Sequence, residues 1–385
     1  MFTLRLPPAL ITSCAVIPLY SLLRRHSCPV AALVTTFLFC TSSWFLTFSR
    51  SAWNNGEVLT VMLLGIWALT RAVESGCKRY WILFGAAQAL LLYGYFAGRT
   101  VVLAFALYVA GLAVVRARHG FRPCREILLG ALLAAATALI LFAPELPTVF
   151  SNLALFNNRV SATLVFNQPR APGQTVADLV MQNARDTGRS YFLMDSGLGV
   201  GPYKGDFSWL DPVTTVLYLV GMLLALRRLG KTALWFVLFI VPLASTQLLS
   251  DLDGARGIAA LVPMYFFAGL TIDFVMNLKL IRVPWLSYVV SMIVMVTGVF
   301  VARDNVTRYA TWVNSPAAQN GRAPAVRVQD YPLWRDFQLS LIDTGHSYVN
   351  GGTFVQLSTE AILAQIHRDP AFAHARYADT HRLPV

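Results

Sequence analysis

The chain has 385 residues, of which 56% are hydrophobic and only 13% are charged, a composition that excludes an ordinary soluble domain. Its formal net charge is +12. The cations lie in short loops between apolar stretches and form no stripe along one surface, so we expect no nucleic acid partner. Because a membrane span needs about 20 apolar residues, the sequence predicts an all-α polytopic membrane protein with about ten transmembrane helices. The predicted spans are 7–23, 30–48, 57–72, 80–96, 101–115, 127–144, 209–226, 233–249, 257–276 and 284–301.

The loops between these spans are basic at every second connection, beginning with Arg24 and Arg25. Since basic loops stay in the cytoplasm, this alternation predicts the topology. Residues 1–302 form a multi-span membrane domain, with residues 145–208 as an extracytoplasmic loop, and residues 303–385 form an extracytoplasmic tail. The same topology places Met1 outside, with no earlier span to carry it there, so we expect a segment ahead of it to be missing.

The two outer segments contain short predicted elements. Thr175 and Asp178 have the spacing of a capping box, and the apolar residues after them recur at helical spacing. This pattern predicts an amphipathic helix that lies in the membrane interface. In the tail, the sequence predicts a turn at 349–352 and a short helix from 358 or 359 to 367, which ends before Pro370.

The five cysteines predict neither a disulfide framework nor a metal site. All of them fall in predicted spans or cytoplasmic loops, and no pair has the spacing of metal ligands. We therefore expect no metal and no cofactor.

The ionisable residues lie at the outer ends of the spans, whereas the span centres contain little beyond Gln88 and some hydroxyl groups. A transporter usually carries polar groups near the midplane, so this distribution indicates a site at the outer surface. Four residues are candidates for binding substrate or phosphate. They are Arg256, Arg99, Arg50 and Glu145.

Each candidate also has a structural alternative. Arg256 suits a lipid-linked phosphate, because its planar guanidinium binds phosphate in a bidentate way, but it could instead pair with Asp251 or Asp253. Arg50 and Arg99 could anchor the chain at the headgroups, and Glu145 could be a helix-end residue or a base. In the same region, Asp211 precedes Pro212, a pattern typical of a helix N-cap.

Five segments resemble the bacterial C-type membrane glycosyltransferases, which are relatives of the protein O-mannosyltransferases and of the enzyme that adds aminoarabinose to lipid A. The resemblance covers about residues 4–276. The segments are Leu4-Arg-Leu-Pro-Pro-Ala-Leu, Trp44-Phe-Leu-Thr-Phe-Ser-Arg50, Tyr93-Gly-Tyr-Phe-Ala-Gly-Arg99, Trp209-Leu-Asp-Pro and Gly254-Ala-Arg-Gly-Ile-Ala-Ala-Leu-Val-Pro263.

The resemblance implies transfer of a sugar from a polyprenyl phosphate to an acceptor hydroxyl at the outer face of the bacterial inner membrane. The partners would be the polyprenyl-phosphate-linked sugar, a glycan, lipid or protein acceptor, and membrane lipids. In the family, the catalytic aspartate lies in a first outer loop that has no counterpart here, so the catalytic residue is unknown. The alternatives are a non-catalytic membrane protein that binds lipid-linked sugars and a polysaccharide transporter or flippase.

Overall fold

The structure is a computed structural model that describes residues 2–49, 56–94, 96–151, 164–167, 173–192, 209–248, 257–278 and 284–313. By its internal contacts the chain forms two units, residues 1–201 with 205–310, and residues 202–204 with 311–385. Within the described ranges the chain is helical and contains no β-strand. This confirms the all-α class that the composition predicts.

Fourteen α-helices are described. They are α1 (Phe2–Ser13), α2 (Val16–Leu23), α3 (Pro29–Thr41), α4 (Ser43–Ser49), α5 (Glu57–Ser75), α6 (Lys78–Tyr93), α7 (Phe96–Ala117), α8 (Phe121–Phe142), α9 (Leu146–Ser151), α10 (Val176–Phe192), α11 (Pro212–Leu226), α12 (Leu229–Gln247), α13 (Leu261–Met276) and α14 (Pro284–Val313). Three short 3₁₀ helices occur at Ala143–Glu145, Val165–Asn167 and Ile258–Ala260.

Seven helical segments in the described part are long and apolar enough to cross a membrane, and the bent pair of α3 and α4 raises the number to eight. Each of the ten predicted spans contains a described helix, but the helices in two of them, 80–96 and 209–226, are short. Helix α6 has 16 residues and α11 has 15. At about 1.5 Å per residue, both fall short of the roughly 30 Å apolar core of a bilayer. The chain is thus a multi-pass membrane protein, with seven or eight full-length spans among the residues that the structure describes.

The helix ends lie at two faces of the bundle. One carries clusters of arginines and is called the basic face, and the other is called the opposite face. The basic face carries Arg24, Arg25, Arg116, Arg227 and Arg228. On this face Arg25 Nη1 lies 3.1 Å from Glu74 Oε2, which joins the end of α2 to the end of α5. The opposite face carries the other ends of the helices, including the start of α5, the start of α11 and the end of α12.

Helix α13 forms the centre of the bundle because its first nine residues, 261–269, present no charged side chain on any side. Residues 261–269 are all buried, and the helix packs against α3, α11 and α12. The ring of Phe266 stacks on Trp235 of α12, with ring centroids 3.9 Å apart and planes 5° from parallel. A helix without a polar face is stable only when neighbours cover it on all sides, and that requirement places α13 at the centre.

Helices α11 and α13 approach most closely at Gly221. A Cβ atom at this position would overlap the backbone carbonyl of Phe267, and Thr271 Oγ1 donates a 2.6 Å hydrogen bond to the carbonyl of Leu217. Only a residue without a side chain permits this crossing, because a backbone carbonyl cannot move without shifting its helix.

Replacing Gly221 with alanine is expected to destabilise the protein by about 1–3 kcal/mol, the usual cost of overpacking. The matched control is Gly111→Ala in α7, where an added Cβ has nothing within 4 Å. Since alanine is the better helix former, the control should have an unchanged or raised melting temperature in detergent. Equal melting temperatures for the two variants would contradict the close crossing.

The capping box predicted at Thr175 is confirmed. Asp178 Oδ2 accepts hydrogen bonds from the backbone nitrogen of Thr175 at 2.9 Å and from its hydroxyl at 2.7 Å, and Asp178 N donates to Thr175 Oγ1 at 3.2 Å. These bonds from Thr175 hold the pKa of Asp178 below its ordinary value. The amphipathic helix continues to Phe192, further than the sequence pattern shows. Its position in the membrane interface stays a prediction.

Candidate functional site

Of the four candidate residues, two have described side chains. Arg99 lies in the first turn of α7 and Glu145 lies in the 3₁₀ helix after α8, both half-buried and both at the opposite face. Arg50 and Arg256 lie outside the described residues, as do Asp251 and Asp253. The predicted turn and helix of the tail also lie outside them.

Helices α3 and α4 meet at a break that the sequence does not predict. The expected continuous span over 30–48 is bent by 58° at Ser42, whose backbone is extended (φ −63°, ψ 140°). The Ser42 hydroxyl compensates for the interrupted helix, because it donates to Phe39 O at 2.9 Å and accepts from Phe45 N at 3.2 Å. The three hydroxyl residues Thr41, Ser42 and Ser43 are the sequence signal for this break, since such side chains compete for backbone hydrogen bonds.

The break directs α4 towards a pair of buried tryptophans. The rings of Trp44 and Trp209 have centroids 4.6 Å apart, and the two residues are 0% and 2% exposed. Gly257 lies against both rings, since an added Cβ would be 3.5 Å from Trp209 and 3.8 Å from Trp44. Three segments that are far apart in the sequence therefore meet at one point, and Arg256 directly precedes the glycine at that point.

Asp211 holds the start of α11 beside Trp209. Its Oδ1 accepts a 2.8 Å hydrogen bond from the backbone nitrogen of Thr214, as expected of an N-cap. Its Oδ2 accepts from Thr214 Oγ1 at 2.7 Å and from Asn305 Nδ2 at 3.0 Å. The N-cap predicted from the Asp-Pro pattern is confirmed, and both oxygens of this buried carboxylate are engaged in structural bonds.

Hydrogen bonds connect helix α10 to the segment just before α11 and to the end of α12. The carbonyl of Ser190 accepts a 2.9 Å hydrogen bond from Trp209 N, and Asn183 Nδ2 donates to the carbonyl of Gln247 at 2.9 Å. The Gln247 amide also donates to Thr187 Oγ1 at 3.1 Å. The bond to Ser190 fixes the backbone of Trp209.

The helix ends that carry Arg99 and Glu145 belong to the same face. Tyr93 OH donates a 2.9 Å hydrogen bond to Leu141 O, and the rings of Tyr93 and Phe142 have centroids 5.1 Å apart. The end of α8 therefore packs on the end of α6, just before the helix of Arg99. The 3₁₀ helix Ile258–Ala260 contacts α5, α7 and α12, so the segment after Arg256 reaches the helix that carries Arg99.

The described residues contain no group of three histidine, cysteine or carboxylate side chains that could hold a metal ion. The five cysteines are free thiols. The arrangement at the opposite face is thus aromatic and polar.

Two members of this region are not predicted from the sequence: Trp209 as a partner of Trp44, and Asn305. The last span was predicted to end at residue 301, but α14 continues to Val313. Val301, Ala302 and Asn305 are all buried. Their spacing of three to four residues is the helical signal that could have revealed the longer helix.

The fold defines a polytopic membrane protein. Residues 1–147 match the model of the dolichyl-phosphate-mannose-protein mannosyltransferase family. For this part of the chain, the match confirms the predicted resemblance to C-type membrane glycosyltransferases.

One solved structure similar to this chain is the oligosaccharyltransferase of Archaeoglobus fulgidus, tethered with an acceptor peptide. The sequence identity is 13% and the TM-score is 0.47, over 81% of this chain and 44% of that chain. No curated protein matches this chain.

Proposed function

We propose that this chain is a membrane glycosyltransferase that transfers a sugar from a polyprenyl phosphate to the hydroxyl of a glycan, lipid or protein acceptor. The site lies at the outer face of the bacterial inner membrane. Residues 145–208 and the tail from 303 to 385 are extracytoplasmic, so the basic face is cytoplasmic and the opposite face is the working face.

The proposal is carried by the contact of Trp44, Trp209 and Gly257. Each belongs to a different segment that resembles the family, and the segment of Trp44 lies more than a hundred residues before the other two in the sequence. If these segments resembled the family only because apolar helices look alike, nothing would require them to meet at one point. Their meeting at the opposite face supports a common role there.

The chemistry of this face fits a lipid-linked phosphate. The reaction needs cations that stabilise the departing phosphate as its charge develops, and a base that takes the acceptor proton. Arg256 is the proposed phosphate ligand, with Arg99 and Arg50 as supporting cations. Glu145 is the candidate base, because Asp211 is already engaged by Thr214 and Asn305.

The packing at Ser42 argues against a transporter. A broken helix in a transporter usually exposes backbone groups to a substrate cavity near the midplane. Here Ser42, Ser43 and Trp44 are 1%, 4% and 0% exposed, and the Ser42 hydroxyl satisfies the freed backbone groups. The break therefore shapes the packing of α4.

Photocrosslinking tests where the donor lipid binds. A polyprenyl phosphate that carries a benzophenone should label, in the purified full-length protein, peptides containing Trp44, Trp209 or Gly257. Excess polyprenyl phosphate should compete, whereas uncharged polyprenol should not. Labelling confined to the peptide that contains Arg227 and Arg228 would contradict the proposal.

Cysteine accessibility tests the orientation. In a background without the five native cysteines, Thr307→Cys in intact cells should react with an impermeant thiol reagent, and Arg118→Cys should react only after lysis. Both positions are exposed, at the opposite face and the basic face respectively. The reverse pattern would overturn the topology.

A further inference from the structure

The basic face contains a cavity between α11 and α13 that plays no part in the proposed transfer. Its volume is about 360 Å³. It begins just beyond the close crossing of the two helices at Gly221, where Leu224 and Leu270 form its apolar walls. A volume near the lower end of the usual range for small-ligand sites, about 300–1,000 Å³, suits a headgroup-sized ligand.

Opposite charges line the cavity at two places, and they form no ion pair with each other. Arg227 and Arg228, from the turn after α11, line one side, and Asp273 of α13 lines the other. Among the described residues, neither arginine lies within 4.0 Å of a carboxylate oxygen in an ion pair. A second cavity of about 310 Å³ adjoins the arginines and adds Lys231 to the positive side.

Asp273 keeps one oxygen available to the cavity. Its Oδ1 accepts hydrogen bonds from Cys28 N at 2.7 Å and from Asn277 Nδ2 at 3.0 Å. These bonds fix the orientation of the carboxylate. Both of these bonds end on Oδ1, and the Cys28 thiol also interacts with the carboxylate. Oδ2 can accept a further donor from a ligand.

We propose that this cavity binds the phosphoethanolamine headgroup of a phospholipid from the leaflet next to the basic face. The phosphate lies between Arg227 and Arg228, whose guanidinium groups suit phosphate oxygens. The ammonium group donates to Asp273 Oδ2. The acyl chains leave past Phe274, which is 47% exposed towards the surroundings of the bundle.

The charges exclude simpler ligands. A purely anionic headgroup, such as phosphatidylglycerol, would leave the Asp273 carboxylate without a partner. A purely cationic ligand would be repelled by the two arginines. A phosphocholine carries both charges, but its quaternary ammonium has no N–H to donate to Asp273. The site therefore favours phosphatidylethanolamine over both other lipids.

Native mass spectrometry of the full-length protein tests this with three phospholipids that have identical acyl chains. Phosphatidylethanolamine should bind about tenfold more tightly than phosphatidylcholine or phosphatidylglycerol, the value of about one hydrogen bond to a charged group. Equal affinities for the three lipids would overturn the proposal.

Two variants on opposite walls separate the contacts. Asp273→Asn keeps the acceptor for Cys28 N and should remove the preference over phosphatidylglycerol. Arg228→Gln, at an exposed position, should weaken binding of both lipids. Arg118→Gln, an exposed arginine of the basic face outside the cavity, is the matched control and should leave all affinities unchanged. An unchanged preference in Asp273→Asn, or unchanged affinities in Arg228→Gln, would refute the site.

A soluble competitor distinguishes the source of the headgroup. Glycerophosphoethanolamine carries the same charges without acyl chains, so it should compete only weakly if the apolar walls contribute to binding. Competition at the same concentration as the lipid would assign the cavity to a soluble phosphate ester and overturn the lipid assignment.

Discussion

Arg256→Ala is expected to weaken the binding of polyprenyl phosphate by about 10- to 100-fold. A hydrogen bond to a charged group contributes about 1.5–3 kcal/mol, and each 1.4 kcal/mol changes affinity about tenfold. The reason for choosing this residue is its place in the chain, one residue before the glycine that packs on Trp44 and Trp209. Equilibrium binding of a fluorescent polyprenyl phosphate to the full-length protein measures the effect.

The control for this variant is Arg303→Ala, which removes an exposed arginine from the part of α14 near the opposite face. It should leave the affinity unchanged. The competing interpretation, an ion pair of Arg256 with Asp251 or Asp253, predicts a different result. In that case Arg256→Ala would lower the melting temperature and leave the affinity for polyprenyl phosphate intact.

Asp211→Ala is expected to destabilise the protein by about 2–4 kcal/mol, because it removes a helix cap and leaves buried donors without an acceptor. The lost bonds are those from the backbone and hydroxyl of Thr214 and from the amide of Asn305. Thermal unfolding in detergent measures the loss. A variant with an unchanged melting temperature and no transferase activity would instead assign Asp211 to catalysis.

A charge-preserving exchange isolates the contact between α11 and α14. Asp211→Asn alone brings the introduced amide towards the amide of Asn305, so that two donors face each other. Adding Asn305→Asp places a carboxylate at residue 305, which accepts a hydrogen bond from the amide introduced at residue 211. The double variant should therefore be more stable than Asp211→Asn, and a double variant no more stable than the single one would show that the two residues are not coupled.

The sequence predicts the central features of this fold because they depend on local patterns. An all-apolar segment at 257–276 becomes the buried α13, and the Asp-Pro pair at 211–212 becomes a capped helix start. The capping box at Thr175 forms with the expected bonds. In each case, neighbouring residues alone determine the outcome.

The features that sequence reasoning misses depend on distant contacts. Trp44, just after the break at Ser42, packs on Trp209, which lies 165 positions further along the chain. Asn305 has charged neighbours in the sequence, as a surface residue would. In the structure it is buried and donates a hydrogen bond to Asp211. The candidate arginines follow from depth and charge alone, and the role of Arg99 as a ligand stays a prediction.

The most direct test of the proposed function is equilibrium binding of polyprenyl phosphate, compared with uncharged polyprenol, to the wild-type protein in lipid nanodiscs. The proposal predicts saturable binding of the phosphate that polyprenol does not displace, since the arginines of the opposite face recognise charge. Equal binding of the two lipids, or no saturable binding of the phosphate, would contradict a site for a lipid-linked sugar donor.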